Sequence, residues 1–234
     1  MADAWVSLES MAEESEHGQI GLTEQQEAVV AHEPGALLVL GAAGSGRTEA
    51  LARRLGRLVA QGRRPLVLSR SAAAANRIRA RAEETIETPY EELVVHTHPA
   101  AAARILREHA TEAELDPFFE SLSPAERLAM LLDRIDELPL RRHEIRGNPA
   151  GLLARIVDRI DALKSAGVTA ERFCRWSEEQ AGGSESERDS AAREREFAEL
   201  YEMHDAMLRA AGAMDDIDAV IELTRLLEER PALA

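Results

Sequence analysis

Gly41-Ala-Ala-Gly-Ser-Gly-Arg-Thr48 collects the residue types that hold a phosphate. Glycines at 41, 44 and 46 let successive backbone N–H groups turn inward around an anion, and a helix starting there adds its positive end. The spacing is that of G-x-x-x-x-G-K-[ST], with Arg47 in place of lysine. Ser45 sits between the last two glycines, and the hydroxyl of Thr48 suits a place in the coordination of Mg²⁺. Arginine is a planar fork where lysine is a compact point charge, so the exchange keeps the cation but alters its alignment for hydrolysis.

Such a loop needs a strand before it and a helix after it. Ala36-Leu-Leu-Val-Leu40 is an apolar run of strand length, and Leu51, Leu55, Leu58 and Val59 follow at helical spacing. Upstream, Thr23 with Gln26 three residues on forms a capping box that opens a short helix. Downstream, Leu66-Val-Leu68 and Leu93-Val-Val95 read as two further strands, separated by an alanine-rich helix from about 72 to 84. Strands alternating with helices imply an α/β layer with parallel pairing.

After His98 the pattern is helical only. Ser123-Pro-Ala-Glu126 is a capping box with proline at the first helical position. Leu152, Ile156, Val157, Ile160 and Leu163 line another helix that stops near Gly167. Gly182 to Ser190 reads as a polar loop, followed by a long charged helix around Phe197 to Leu208 and a last one through Ile217 to Leu227.

Composition narrows the class. Hydrophobic residues make up 45% of the 234 residues and aromatics only 3%, so the core is expected to be aliphatic. The single cysteine, Cys174, excludes an intramolecular disulfide and a cysteine-cluster zinc site. His96 and His98 have no clustered carboxylate or cysteine and read as loop histidines. Residues 1 to 18 are acidic without an apolar run, and no segment has the length and apolarity of a membrane span; the expectation is a cytoplasmic protein without a membrane partner. The net charge of −15 argues against a generic nucleic-acid binder. Yet residues 41–110 carry a net +5, which puts the basic stretch on the phosphate loop and the segment after it. A solvated arginine face is an equal reading of charge alone. One lysine, Lys164, stands against 27 arginines, so Arg47 partly follows the chain's general preference.

Several segments together resemble the N-terminal part of a UvrD/Rep/PcrA-type superfamily 1 DNA helicase. Leu22-Thr-Glu-Gln-Gln-Glu-Ala-Val-Val30 is similar to that family's Q motif, with Gln26 at the adenine-reading glutamine. A side chain with one donor and one acceptor group suits a base edge, although the capping box is the competing role. Leu66 to Arg81 is similar to the segment that first touches single-stranded DNA. Ser69 and Ser71 fall at its hydroxyl positions, Arg70 replaces a stacking phenylalanine, Ala72-Ala73 replace an Asn-Lys pair, and Arg81 matches an arginine on the next helix. His96-Thr-His-Pro99 resembles the following DNA-contacting segment, with Thr97 matching and His98 at a phenylalanine position. Arg159 to Phe173, and Phe197-Ala-Glu-Leu-Tyr201 leading to Met214-Asp-Asp-Ile-Asp218, resemble parts of the inserted helical subdomain and its return. The resemblance spans residues 22 to about 230.

It implies a partial RecA-like P-loop parallel sheet with an inserted all-helical subdomain. The expected layout is an acidic extension at 1–20, the first part of an ATP-binding domain at 21–98, the helical insertion at 99–212 and a returning helix at 213–234. ATP and Mg²⁺ are the implied cofactors, held by Gln26, Gly41, Gly44, Ser45, Gly46, Arg47 and Thr48, with Mg²⁺ on Thr48. Ser69, Arg70, Ser71, Thr97 and His98 are placed on the path of single-stranded or duplex-junction DNA. The implied activity is 3′ to 5′ ATP-dependent unwinding in repair, recombination or replication. No Asp-Glu Walker B strand follows Leu227, so these residues alone are expected to bind ATP without efficient hydrolysis; the resemblance puts the Walker B aspartate and glutamate in the downstream sequence and further arginines in a second RecA-like domain, the rest of the helicase acting in cis or trans. A non-catalytic nucleotide-, DNA- or partner-binding module derived from a helicase is the alternative, and a small-molecule kinase a more remote third.

Overall fold

The computed structural model describes residues 4–8, 21–86, 89–142, 147–180 and 183–233, which divide into two compact units, Met1–His98 and Pro99–Ala234.

In the first unit, β1 (Ala4–Leu8) pairs parallel with β2 (Leu37–Gly41), Ala4 opposite Leu37 and Leu8 opposite Gly41. A second parallel pair joins β3 (Leu66–Ser69) to β4 (Val94–Thr97), with Leu66 opposite Val94. No ladder links the two pairs among the described residues. Around them lie α1 (Glu24–Ala31), α2 (Arg47–Ala60) and α3 (Ala72–Glu83). Ala52 and Leu55 of α2 meet Val67, Ala75, Ala82 and Val95 in an aliphatic core. Small alanines on facing helices let α2 and α3 approach closely.

β1 departs from the sequence reading. The extension at 1–20 carries no expected element, yet Ala-Trp-Val-Ser-Leu supplies a strand beside the phosphate-loop strand. Five residues flanked by acids are too short a signal to stand out from composition.

The short helix α1 is capped as expected, with both arms of the Thr23–Gln26 box formed. Its C-terminal carbonyls have no basic residue in their own last turn and are met from α2 instead. Arg54 Nη1 donates to the carbonyls of Val29 (2.9 Å) and His32 (2.7 Å), and Arg57 Nη1 to that of Val30 (3.1 Å). Two arginines thus satisfy acceptors that an eight-residue helix leaves open.

The second unit runs through α4 (His98–Glu108), α5 (Ala110–Ala113), β5 (Glu120–Leu122), α6 (Pro124–Asp133), α7 (Pro149–Ser165), α8 (Ala170–Glu179), α9 (Glu185–Ala210), β6 (Ala213–Asp215) and α10 (Asp216–Glu229). The expectation of helices alone is corrected here: β5 and β6 form a two-stranded parallel ladder, Glu120 opposite Ala213. Three-residue strands leave no readable period. A second correction falls at the expected loop from Gly182 to Ser190. Ser184 and Glu187 form a capping box that starts α9 at Glu185, so most of that segment is helix; Gly182 itself lies outside the described residues. Aromatic packing is concentrated on α8 and α9, where Phe173 and Phe197 meet edge to face at 5.3 Å and Arg159 lies 4.0 Å over Phe197.

A buried ionic centre holds α6, α7, α9 and the β6–α10 junction together. Lys164, the chain's one lysine, reaches Asp218 at 2.7 Å, Asp215 at 2.8 Å and Asp205 at 3.0 Å. Arg127 forks onto both oxygens of Asp161 (2.7 Å each) and contacts Asp215 at 3.2 Å. Asp215 also caps α10 by accepting from the amides of Ile217 and Asp218. Burial opposes the charge of Asp215, but Lys164, the Asp218 amide and Arg127 outweigh it and hold its carboxyl below the ordinary value. At Asp218 the balance reverses: burial and the charge of Asp215 outweigh Lys164, and its pKa is raised.

Candidate functional site

The chain turns from β2 into α2 through residues 42–46, and two glycines take left-handed backbone there, Gly44 at φ 83° and Gly46 at φ 77°. Gly46 is the N-cap of α2 and caps it with no side chain, so the first-turn amides keep no internal acceptor. A Cβ on Gly46 would lie 2.2 Å from Gln26 Nε2 and would have to displace that amide, and the φ of 77° independently favours glycine. Arg47 and Thr48 are exposed at the helix start, and no ion pair of Arg47 occurs among the described residues. The Ser45 hydroxyl is buried without a hydrogen-bond partner.

These groups surround a pocket of about 460 Å³, lined by Ala42, Gly44 to Thr48, Glu49 and Arg81. Its size is within the range of small-molecule sites. Uncapped amides, a free guanidinium, an unpaired hydroxyl and glycines that leave the rim open suit a polyphosphate. The exposed Thr48 hydroxyl suits the metal that accompanies one. Gly41 closes β2, one residue before the pocket lining.

Gln26 is tied into the loop. Its Oε1 accepts from the Thr23 amide (2.9 Å) and its Nε2 donates to the Ser45 carbonyl (3.0 Å), and the residue is buried. The structure therefore gives Gln26 a bracing role between α1 and the phosphate loop. One lone pair of its amide oxygen and one N–H are engaged, leaving at most one N–H and one lone pair for a base edge.

At the pocket mouth Glu49 is held by two arginines: Arg53 at 2.8 Å, one turn on in α2, and Arg81 from α3, which also pairs with Glu84. Burial acts against the Glu49 charge, but the hydrogen bonds and charges of Arg81 and Arg53 prevail and lower its pKa.

The expected DNA-contacting residues gather at the C-terminal ends of β3 and β4, the end at which parallel sheets bind ligands. Ser69 lies opposite Thr97 in the ladder, with Arg70 and Ser71 on the turn after it and His98 beginning α4. Arg70 and His98 are exposed. The hydroxyls have local work: Ser69 Oγ donates to the Ser71 carbonyl (3.2 Å), and Ser71 Oγ accepts from Ala74 to cap α3. Arg79 of α3 donates to the Val95 carbonyl and fixes the helix to β4. His96 Nε2 is buried without a partner, and no group of metal-ligating side chains occurs among the described residues.

Glu49 is the residue of this site that sequence patterning passes over. Its (i, i+4) relation to Arg53 is readable, but Arg81 arrives from 32 positions away through the packing of α2 on α3.

The family model of the UvrD/REP helicase N-terminal domain matches residues 22–234. No curated protein sequence matches the chain.

Proposed function

The chain belongs to the UvrD/REP helicase family, and on that footing we propose that its first unit binds ATP·Mg²⁺ at the Gly41–Thr48 loop and DNA at the β3–β4 ends. That family carries the RecA-like α/β fold and uses ATP and Mg²⁺. One observation carries the nucleotide reading: a loop with left-handed Gly44 and Gly46, an uncapped helix start and an unpaired Arg47 opens on a pocket of about 460 Å³. Gly44 and Gly46 offer backbone amides to the phosphates and Ser45 its unpaired hydroxyl, Arg47 supplies the cation, Thr48 takes Mg²⁺, and Gln26 holds the loop's shape. Ser69, Arg70, Ser71, Thr97 and His98 form the DNA edge, with Arg70 contacting phosphate or lying over a base.

These residues bind nucleotide without efficient turnover. The carboxylate lining the pocket among the described residues is Glu49, and it is occupied by two arginines rather than poised on a water. Phosphoryl transfer needs a metal-holding carboxylate, a water-positioning group and a charge stabiliser, and losing the last alone costs ~10³-fold or more. Unwinding from 3′ to 5′ in DNA repair, recombination or replication would then require a second RecA-like domain in cis or trans. Among the described residues no helix is long and apolar enough to cross a membrane.

Calorimetric titration of the 234-residue chain with ATP and Mg²⁺, beside anisotropy of a labelled single-stranded oligonucleotide, tests the proposal. One nucleotide site and salt-sensitive DNA binding are expected; no heat of binding at millimolar ATP refutes it.

A further inference from the structure

The Glu49–Arg81 pair lines the phosphate pocket where α2 meets α3. Arg81 has 44% of its side chain exposed and is anchored through carboxylates, those of Glu49 and Glu84. Glu49 keeps a second cation, Arg53 at 2.8 Å, that stays in place if Arg81 leaves. With Arg47 already unpaired, the pocket therefore has one guanidinium free and one stored against its rim.

We propose that Glu49 is a latch: it parks Arg81 beside the pocket, and an entering polyphosphate takes Arg81 from it as a second phosphate-binding cation. This rests on the nucleotide reading above and adds a binding residue and a restraint to it. The exchange is feasible because an exposed ion pair is held weakly, whereas a guanidinium on a phosphate forms forked charge-assisted hydrogen bonds. Arg53 makes it reversible, since Glu49 is left paired rather than as a bare carboxylate facing an anion. Glu84 holds Arg81 less firmly because it is itself exposed.

The test is a four-way comparison of wild type, Glu49→Gln, Arg81→Gln and the double variant, each titrated with inorganic triphosphate and with ATP·Mg²⁺. Inorganic triphosphate isolates the phosphate end from any contact with the base. Glu49→Gln should tighten triphosphate binding about fivefold, the equivalent of one exposed ion pair. Arg81→Gln should weaken it by about tenfold or more, as expected for a charge-assisted contact. In the Arg81→Gln background, Glu49→Gln should change affinity by less than twofold. Equal tightening by Glu49→Gln with and without Arg81 would mean a simple field effect and overturn the latch. So would wild-type affinity in Arg81→Gln. Failure of wild type to bind either ligand would instead remove the nucleotide reading itself. Thermal unfolding of each variant checks the fold, and Arg81→Lys, which keeps charge without the fork, should recover part of the lost affinity.

Discussion

Replacing Lys164 by methionine removes the cation on which three carboxylates converge. The contacts are 2.7, 2.8 and 3.0 Å, the Lys164 side chain is 4% exposed and that of Asp215 is fully buried. At an effective dielectric of about 20, each contact represents about 6 kcal/mol of gross attraction. Most of this is offset by the several kcal/mol lost when each ion leaves water. The net cost of removing Lys164 comes chiefly from the carboxylates left behind: Asp215 keeps Arg127 at 3.2 Å and Asp205 keeps His204 Nδ1 at 3.1 Å, but Asp218 keeps no other ion pair among the described residues. Breaking a buried pair in this way costs about 3–5 kcal/mol. For a chain of this size that is a fall of roughly 6–20 °C in Tm. The pH dependence identifies the cause. Asp205 and Asp215 have lowered pKa values, so their contribution is present at neutral pH and is lost as pH falls through those folded values. Lys164 is raised, so its contribution holds below its ordinary value and fades only as pH rises through the folded one. The difference between wild type and Lys164→Met should therefore be full near pH 7 and shrink towards pH 4, where the stranded carboxylates take up protons. Denaturant titrations followed by circular dichroism at 222 nm, at several pH values, measure it. A loss under ~1 kcal/mol, or one constant from pH 7 to 4, would refute the ionic account.

Three further outcomes are expected. Lys164→Arg should be destabilising by about 1–3 kcal/mol despite keeping the charge, because a planar fork overfills a site where one ammonium meets three carboxylates; unchanged denaturant midpoints would contradict this. Gly46→Ala should lower ATP affinity at least tenfold, since its Cβ meets Gln26 Nε2 and its φ of 77° opposes a side chain; calorimetry reads the change. Arg70→Ala should weaken single-stranded DNA binding and reduce the slope of log affinity against log salt by about 0.7, the single-strand value for one phosphate contact; an unaltered slope would take Arg70 off the DNA.

The phosphate loop is legible in the sequence because its information is local. Eight residues, an apolar run before them and a 3.6-residue period after them are all read within 25 positions, and the Thr23–Gln26 box is a spacing of three. Features that packing decides stay hidden. Gln26 has the residue type for reading a base, but only the fold shows its amide bonded to the Ser45 carbonyl. The β5–β6 ladder joins three-residue strands some 90 positions apart, and β1 is five residues inside an acidic stretch. At Ser184 the capping signal is present in Ser-x-x-Glu187, yet the preceding glycines and polar composition read as a loop. Lys164 is conspicuous in the sequence as the one lysine among arginines, but its three partners come from α9, β6 and α10. Sequence marks such a residue as unusual and tertiary structure supplies the reason.

The central claim is that Gly41–Thr48 holds the phosphates of a nucleotide. Amide hydrogen exchange of the whole chain, with and without ATP·Mg²⁺, tests it most directly, because the first-turn amides of α2 have no side-chain cap and should exchange readily until a phosphate accepts from them, whereas the Ser45 amide already donates to the Ala42 carbonyl (3.3 Å). Protection is expected at residues 44–48, with a smaller effect around Gln26, and it should fade when Gly46 carries a side chain. Protection confined to other segments, or none at saturating ATP, would contradict the account.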